Sequence, residues 1–325
     1  MSFEHILGQQ PAVETLSRAL QNGKLHHAYR FEGPDGVGKE MVAFALAQAL
    51  VCEAPTPLAC GKCNACTRAT TISEDEPHVP RHPDVVLVER GLYPASVLGS
   101  SVSEATGISV EQIRRVVLSR AGYAPHEGRA LVFIVRGAHE LTIQAANSLL
   151  KTLEEPGDRT TFILLTSRPN RLLDTILSRT LAVRFGPLPD AVIAGLLEKW
   201  GMDPKLAPLA NGSASEAQKL ADPEAQQQRA DFSEAVTRAL EAPDATALLD
   251  LAKSRPEDRH ALRELLGHVA QDIAARGKAS AIADDDQAFM WASRYAIVLA
   301  SLREVERNVQ PALALEAMLL RMRAV

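Results

Sequence analysis

Phe31-Glu32-Gly33-Pro34-Asp35-Gly36-Val37-Gly38-Lys39-Glu40 decides how the rest of this chain is read. Gly33, Gly36, Gly38 and Lys39 follow the phosphate-cradling pattern G-x-x-x-x-G-K-[S/T], which needs a strand before it and a helix after it. Residues 28–31 (Ala-Tyr-Arg-Phe) predict that strand, and the Ala/Leu-rich run 39–51 predicts the helix. The last position departs. Glu40 stands where a hydroxyl would hold Mg²⁺, and a carboxylate there would face phosphates with like charge.

Downstream, Val85–Val88, Leu131–Val135, 161–166 and 181–185 are short apolar runs, the kind buried on both faces of a parallel sheet. They alternate with helical patterns, which predicts an α/β layer structure. In a phosphate-loop ATPase, Asp and Glu follow the strand at 131–135, one for Mg²⁺ and one for the attacking water. Here Arg136 and Gly137 follow it. His139 and Glu140 come next, and Glu140 reads as an acid at a helix start, where the dipole favours it.

Around these strands the punctuation is clear. Pro11 suits the first turn of a helix whose Val13, Leu16 and Leu20 share a face, and Asn22-Gly23 ends it. Residues 70–83 read as a polar loop, 91–107 as a flexible Ser/Gly-rich excursion, and Ser109 as a helix cap. A helix over 147–155 stops at Pro156-Gly157. After Gly186-Pro187-Leu188-Pro189 the strand patterns cease. Asp190 is expected to cap a helix running to Trp200, and 204–220 to be helical with a break at Asn211-Gly212-Ser213. The Gln-rich stretch 223–229 reads as a polar connector. Beyond it everything is helical, with Leu262, Leu265, Leu266 and Val269 on one face. The expected domains are 1–186, a parallel five-stranded α/β domain; 187–228, a small helical domain; and 229–325, an all-α domain.

Composition narrows the function. The net charge of -5 argues against a molecule that grips nucleic acid electrostatically over its whole surface. Aromatics make up only 4%, too few for base-stacking platforms. Neither a signal pattern nor an apolar run of bilayer length is present, so a cytoplasmic protein is expected. All four cysteines, Cys52, Cys60, Cys63 and Cys66, fall within one short stretch. In a cytosolic setting such clustering points to metal instead of disulfides, and four thiolates suit a closed structural zinc site. An iron–sulfur cluster is the rival, although nothing nearby suggests electron transfer.

Taken together, Leu7-Gly8-Gln9, His27-Ala28-Tyr29, the glycine loop, the cysteines, Leu149-Leu150-Lys151-Thr152-Leu153-Glu154-Glu155-Pro156 and Ser178-Arg179 resemble bacterial clamp-loader AAA+ subunits of DNA polymerase III. The resemblance covers almost the whole chain, through Leu313-Ala314-Leu315-Glu316. It implies an AAA+ domain with an inserted zinc module at 52–66, a helical lid and a C-terminal collar. Within the family, the degraded site resembles the non-hydrolysing delta-prime class; the alternative is an active gamma/tau-type ATPase. The implied partners are gamma/tau and delta subunits in a heteropentameric ring, and through that ring a sliding clamp and primer-template DNA.

The family's Ser-Arg-Cys motif lends an arginine finger to a neighbour's ATP. It stands here as Ser178-Arg179-Thr180, so the arginine is kept and the cysteine is not. A planar, permanently charged guanidinium suits that role, whereas an arginine before a strand is ordinarily a surface residue. Arg159, Arg168, Arg171, Arg179 and Arg184 make the region basic, with a solvated face as the default reading. The family's lid arginine is missing from Gly212-Ser213-Ala214-Ser215-Glu216. No Mg²⁺ site is expected and ATP binding is left open. Lys39 is expected to hold an anion or to pair with Asp35 or Glu40.

Overall fold

Alternation along five short strands builds the layers. The computed structural model describes residues 3–54, 56, 58–99, 107–127, 129–244, 246–254, 259–280, 285–306 and 309–325. The chain divides into two compact units, Met1–Lys219 and Leu220–Val325.

In the first unit, α1 (Gln10–Gln21) leads to β1 (Ala28–Glu32), the glycine loop and α2 (Lys39–Val51). Then come α3 (Asn64–Thr70), β2 (Val85–Val88), the single turn α4 (Ala95–Leu98) and α5 (Val110–Gln112). A π-helical stretch, Ile113–Leu118, joins α5 to α6 (Ser119–Ala121). β3 (Leu131–Val135), α7 (Ile143–Glu154), β4 (Thr160–Thr166), α8 (Asp174–Leu177) and β5 (Leu181–Arg184) complete the α/β part. The strands form one parallel sheet in the order β2-β3-β4-β1-β5.

Successive side chains on a strand point to opposite faces. Tyr29, Phe31, Val132, Ile134, Ile163 and Leu165 therefore pack with α1 and α2. Val86, Val88, Phe133, Val135, Phe162 and Leu164 pack on the other face with α7 and α8. Because every strand runs the same way, the segments leaving β1, β2, β3 and β4 meet along one sheet edge, the usual place for a site in such folds.

The helical segment after β5 holds α9 (Asp190–Lys199), a 3₁₀ stretch Pro204–Ala210 and α10 (Ala214–Ala221). The second unit contains α11 (Pro223–Glu241), α12 (Thr246–Lys253), α13 (Arg259–Ser280), α14 (Asp285–Glu306) and α15 (Pro311–Arg323). They enclose one core around Leu248, Leu262, Leu266, Val298, Leu315 and Met318. No described helix is long and apolar enough to cross a membrane.

Three local expectations are corrected. Residues 223–229 are not a connector but the first turns of α11, because Asp222 accepts from the Glu224 N–H and Pro223 fits the opening turn. Asp190 is the first residue of α9 and not its cap; Pro189 occupies the cap position. Glu140 ends the short 3₁₀ turn Ala138–Glu140, and the helix begins only at Ile143, capped by Thr142. Within 91–107, Ala95–Leu98 is helical, while 100–106 lie outside the described residues.

Candidate functional site

The glycine loop turns tightly between β1 and α2. A Cβ on Gly33 would stand 2.3 Å from the Phe185 carbonyl oxygen, so the backbone beside β5 leaves no room for one. Gly36 has φ +72° and lies under Ser213 and Ser215. Its carbonyl accepts from the Ala214 N–H at 2.9 Å. Gln9, almost fully buried, donates from Nε2 to the Val37 carbonyl at 3.1 Å and the Gly186 carbonyl at 2.7 Å. The loop is thus hydrogen-bonded to the start of α10 and, through Gln9, to the strand exit.

Lys39 is folded into this loop. Its Nζ donates to the carbonyls of Gly33 at 2.7 Å and Pro34 at 2.5 Å, and lies 3.7 Å from Asp35 Oδ1. Burial lowers its pKa, and Asp35 partly offsets that. Of the two partners expected from sequence, Asp35 is met and Glu40 is not.

Glu40 is paired with Arg136 instead. Arg136 also donates from Nη1 to Glu89 Oε2 at 2.8 Å. Burial opposes the charge on Arg136, but the two carboxylates outweigh it and its pKa is raised. The first residue of α2 after Lys39, the residue after β2 and the residue after β3 are therefore tied by one guanidinium. The sequence placed Glu40 and Arg136 at the two positions where a metal would need a hydroxyl and an acid. The fold brings them together with each other.

A cavity of about 430 Å³ opens beside the loop, lined among others by Gly38, Lys39, Glu40, Arg136, His139 and Ser215. His139 Nδ1 lies 3.2 Å from Thr166 Oγ1 at the end of β4. Burial lowers the His139 pKa; Arg168 and Arg171 push the same way, against Glu140 and Asp35. Glu140 instead lies 3.7 Å from Arg90.

Arg179 is not among the residues lining this cavity. Its Nε donates to Glu154 Oε1 at 2.7 Å, and Nη2 reaches the same oxygen. Nη1 donates to the Thr175 carbonyl at 2.9 Å and to Ser178 Oγ at 3.1 Å. Thr180, standing in the cysteine's place, is buried. Its hydroxyl donates to the Ile176 carbonyl at 2.8 Å and accepts from Arg30 Nη1 at 2.6 Å. Arg30 and its partner Glu32, at 2.5 Å, were missed by the sequence reading. The signal was there: a buried strand spelling Ala-Tyr-Arg-Phe-Glu carries two charges that must find partners.

The four cysteine sulfurs converge. Their Sγ atoms lie within 4.8 Å of one another, with Cys52–Cys63 at 4.0 Å and Cys60–Cys66 at 3.9 Å. Tetrahedral thiolates at ~2.3 Å from zinc would be ~3.8 Å apart, so the arrangement fits such an ion. Backbone N–H groups of Cys60, Cys63 and Cys66 point at the sulfurs of Cys52, Cys60 and Cys63. N–H donors from Lys62 and Cys63 bring the Cys60 pKa down to about 6, while burial pushes the Cys66 thiol up. Gln48 Nε2 on the Cys66 carbonyl, at 2.9 Å, anchors the module to α2.

Comparison with known proteins gives the family. A family profile described as "DNA polymerase III, delta subunit" matches residues 8–189. The chain is 36% identical over 199 residues to DNA polymerase III subunit gamma/tau of Mycobacterium bovis, covering 61% of this chain and 31% of that one. It is 32% identical over 210 residues to DNA polymerase III subunit delta' of Bacillus subtilis, covering 64% of this chain and 57% of that one. The chain thus spans under a third of the gamma/tau relative's length and somewhat over half of the delta' relative's. A DNA polymerase III gamma subunit-related protein of Thermotoga maritima shares the fold, with a TM-score of 0.50, 18% identity, and 96% of this chain and 98% of that one covered. This chain is an AAA+-fold protein that belongs to the DNA polymerase III delta-subunit family, among the bacterial clamp-loader proteins.

Proposed function

We propose that this chain is a non-hydrolysing clamp-loader subunit of the delta-prime type, acting by contact and not by turnover. The observation that carries the reading is the Glu40–Arg136–Glu89 network. Phosphoryl transfer from ATP depends on a held Mg²⁺ and a positioned water. The two side chains that should grip the ion are a carboxylate and a guanidinium, already joined to each other. Lys39 is likewise spent on the carbonyls of its own loop.

On this reading the subunit takes its place in a cytoplasmic ring with gamma/tau and delta subunits, and through them helps load a sliding clamp onto primed DNA during replication. The helical stretch after β5 acts as a lid and the all-helical second unit as a collar for assembly. Arg179, with Ser178, serves as a finger toward the ATP of a neighbouring subunit. Cys52, Cys60, Cys63 and Cys66 hold one structural zinc ion; a closed four-sulfur shell has no open position for catalysis.

A second reading, an active gamma/tau-type ATPase, draws on the gamma/tau relative's similarity and on the retained Gly33, Gly36, Gly38 and Lys39. Steady-state phosphate release by the purified chain separates the two. No turnover above background is expected; turnover abolished by Lys39→Ala would overturn the proposal.

A further inference from the structure

We infer that Glu154 parks the Arg179 finger, holding it folded back until a neighbour's triphosphate draws it off. This rests on the finger reading above and adds a residue that controls it. A guanidinium has five N–H donors. Four of the five on Arg179 are committed: Nε and one Nη2 hydrogen to Glu154 Oε1, and the two Nη1 hydrogens to the Thr175 carbonyl and Ser178 Oγ. Bidentate contact with a phosphate needs two parallel N–H groups, so the finger must first release some of these bonds.

Glu154 is the last residue of α7, where the negative end of the helix dipole disfavours a carboxylate. A cation beside it offsets that conflict; Lys151 lies in the same last turn, and Arg179 is the cation ion-paired with Glu154. The pair is only partly shielded, with Glu154 47% and Arg179 31% exposed. It is therefore strong enough to set the resting pose and weak enough to be exchanged for a triphosphate carrying more charge. The two flanking acceptors, Thr175 and Ser178, come from α8 and the turn that follows it, so the resting pose is defined by two elements at once.

The test uses the complex reconstituted with the gamma/tau and delta subunits of the same organism, and measures single-turnover ATP hydrolysis so that product release does not mask the step. Arg179→Ala comes first. A large fall in rate supports the finger, and an unchanged rate removes the finger reading and this inference together. Given that fall, Glu154→Gln should raise the maximal rate about two- to fivefold, the scale of a half-exposed ion pair. The concentration of complex for half-maximal rate should stay within about twofold, since a finger acts on the transition state. A maximal rate that is unchanged or lowered overturns the parking role while leaving the finger intact. A variant that assembles poorly and shifts both parameters shows Glu154 to be merely structural and overturns it as well.

Discussion

Arg30 donates from Nη1 to Thr180 Oγ1 at 2.6 Å, joining the middle of β1 to the turn that carries Ser178 and Arg179. Both residues are buried. Arg30 also reaches the Leu177 carbonyl at 3.1 Å and Glu32 at 2.5 Å. The turn is therefore held from below by a charge inside the sheet. Replacing the hydroxyl by a methyl in Thr180→Val removes the shortest contact of Nη1, which keeps only the Leu177 carbonyl at 3.1 Å and the more distant Thr180 carbonyl at 3.5 Å. It should cost about 1–3 kcal/mol of stability, read by urea unfolding. A loss within error would show the contact to be dispensable.

Glu40 and Arg136 make a second cross-tie, and swapping them is informative. Glu40→Thr combined with Arg136→Asp restores a hydroxyl and an acid at the two metal positions. The double variant should bind ATP at least about tenfold tighter with Mg²⁺ than without it, measured by calorimetry, because the ion then bridges protein and phosphate. The starting protein should show no such dependence on Mg²⁺. Arg136→Asp alone sets a third carboxylate beside Glu40 and Glu89 and should melt at a lower temperature than the double variant.

Gly36→Ala probes the bond between the glycine loop and α10. The added Cβ would fall 2.0 Å from Ser215 Oγ, 2.2 Å from Ser213 Oγ and 2.9 Å from Ser215 Cβ; the hydroxyls can turn away, but the Ser215 Cβ moves only with the backbone of α10. The left-handed φ of +72° adds about 1–2 kcal/mol to that cost. Hydrogen exchange at the Ala214 and Ala217 amides should quicken; unchanged protection would mean that the loop and α10 are not coupled.

Metal content tests the cysteine module. The purified chain should carry about one zinc per molecule. Stripping it with a chelator should lower the melting temperature, and free zinc at about a thousand times its Kd should return ~4 kcal/mol. Cys60→Ser should lose the metal. An iron chromophore, or a melting curve indifferent to chelation, would overturn the zinc assignment.

The pH response follows from His82 and His139. Burial lowers both pKa values below the ordinary 6.5. The unfolded chain then binds protons that the folded chain refuses, so stability is full above 6.5 and is lost as pH falls through that value toward the folded pKa. The melting temperature should fall between pH 7 and pH 5.5. His82→Gln with His139→Gln should flatten that slope relative to the parent, which also separates the effect from acid release of metal. A parallel slope would remove these two groups as its cause.

Much of the architecture was readable along the chain because its signals are local. Apolar runs at 85–88 and 131–135 could be strands buried on both faces and little else. Ser109 caps its helix as expected, accepting from the Gln112 N–H. The C-x-x-C-x-x-C spacing brings three sulfurs together around the start of α3, where Cys63 is the cap and Cys66 lies in the first turn. Where local signals conflicted, the reading failed. The polar, Gln-rich run 223–229 gave no apolar stripe of its own, yet an Asp-Pro start is enough to open a helix whose Phe232 and Val236 pack farther along.

Composition and motif spacing thus settled the α/β class, the phosphate-loop ancestry, the four-cysteine cluster and the departures at Glu40 and Arg136. They did not settle what those departures become. Glu40 and Arg136 are 96 residues apart, Arg30 and Thr180 are 150 apart, and Glu154 and Arg179 are 25 apart. Strand order β2-β3-β4-β1-β5 is what lines up the ends of β1, β2 and β3. A charged side chain meets its partner through that crossing of parallel strands, and periodicity carries no record of it. The kind of site was written in the residues, and the pairing of Glu40 with Arg136 came only with the packing of the sheet.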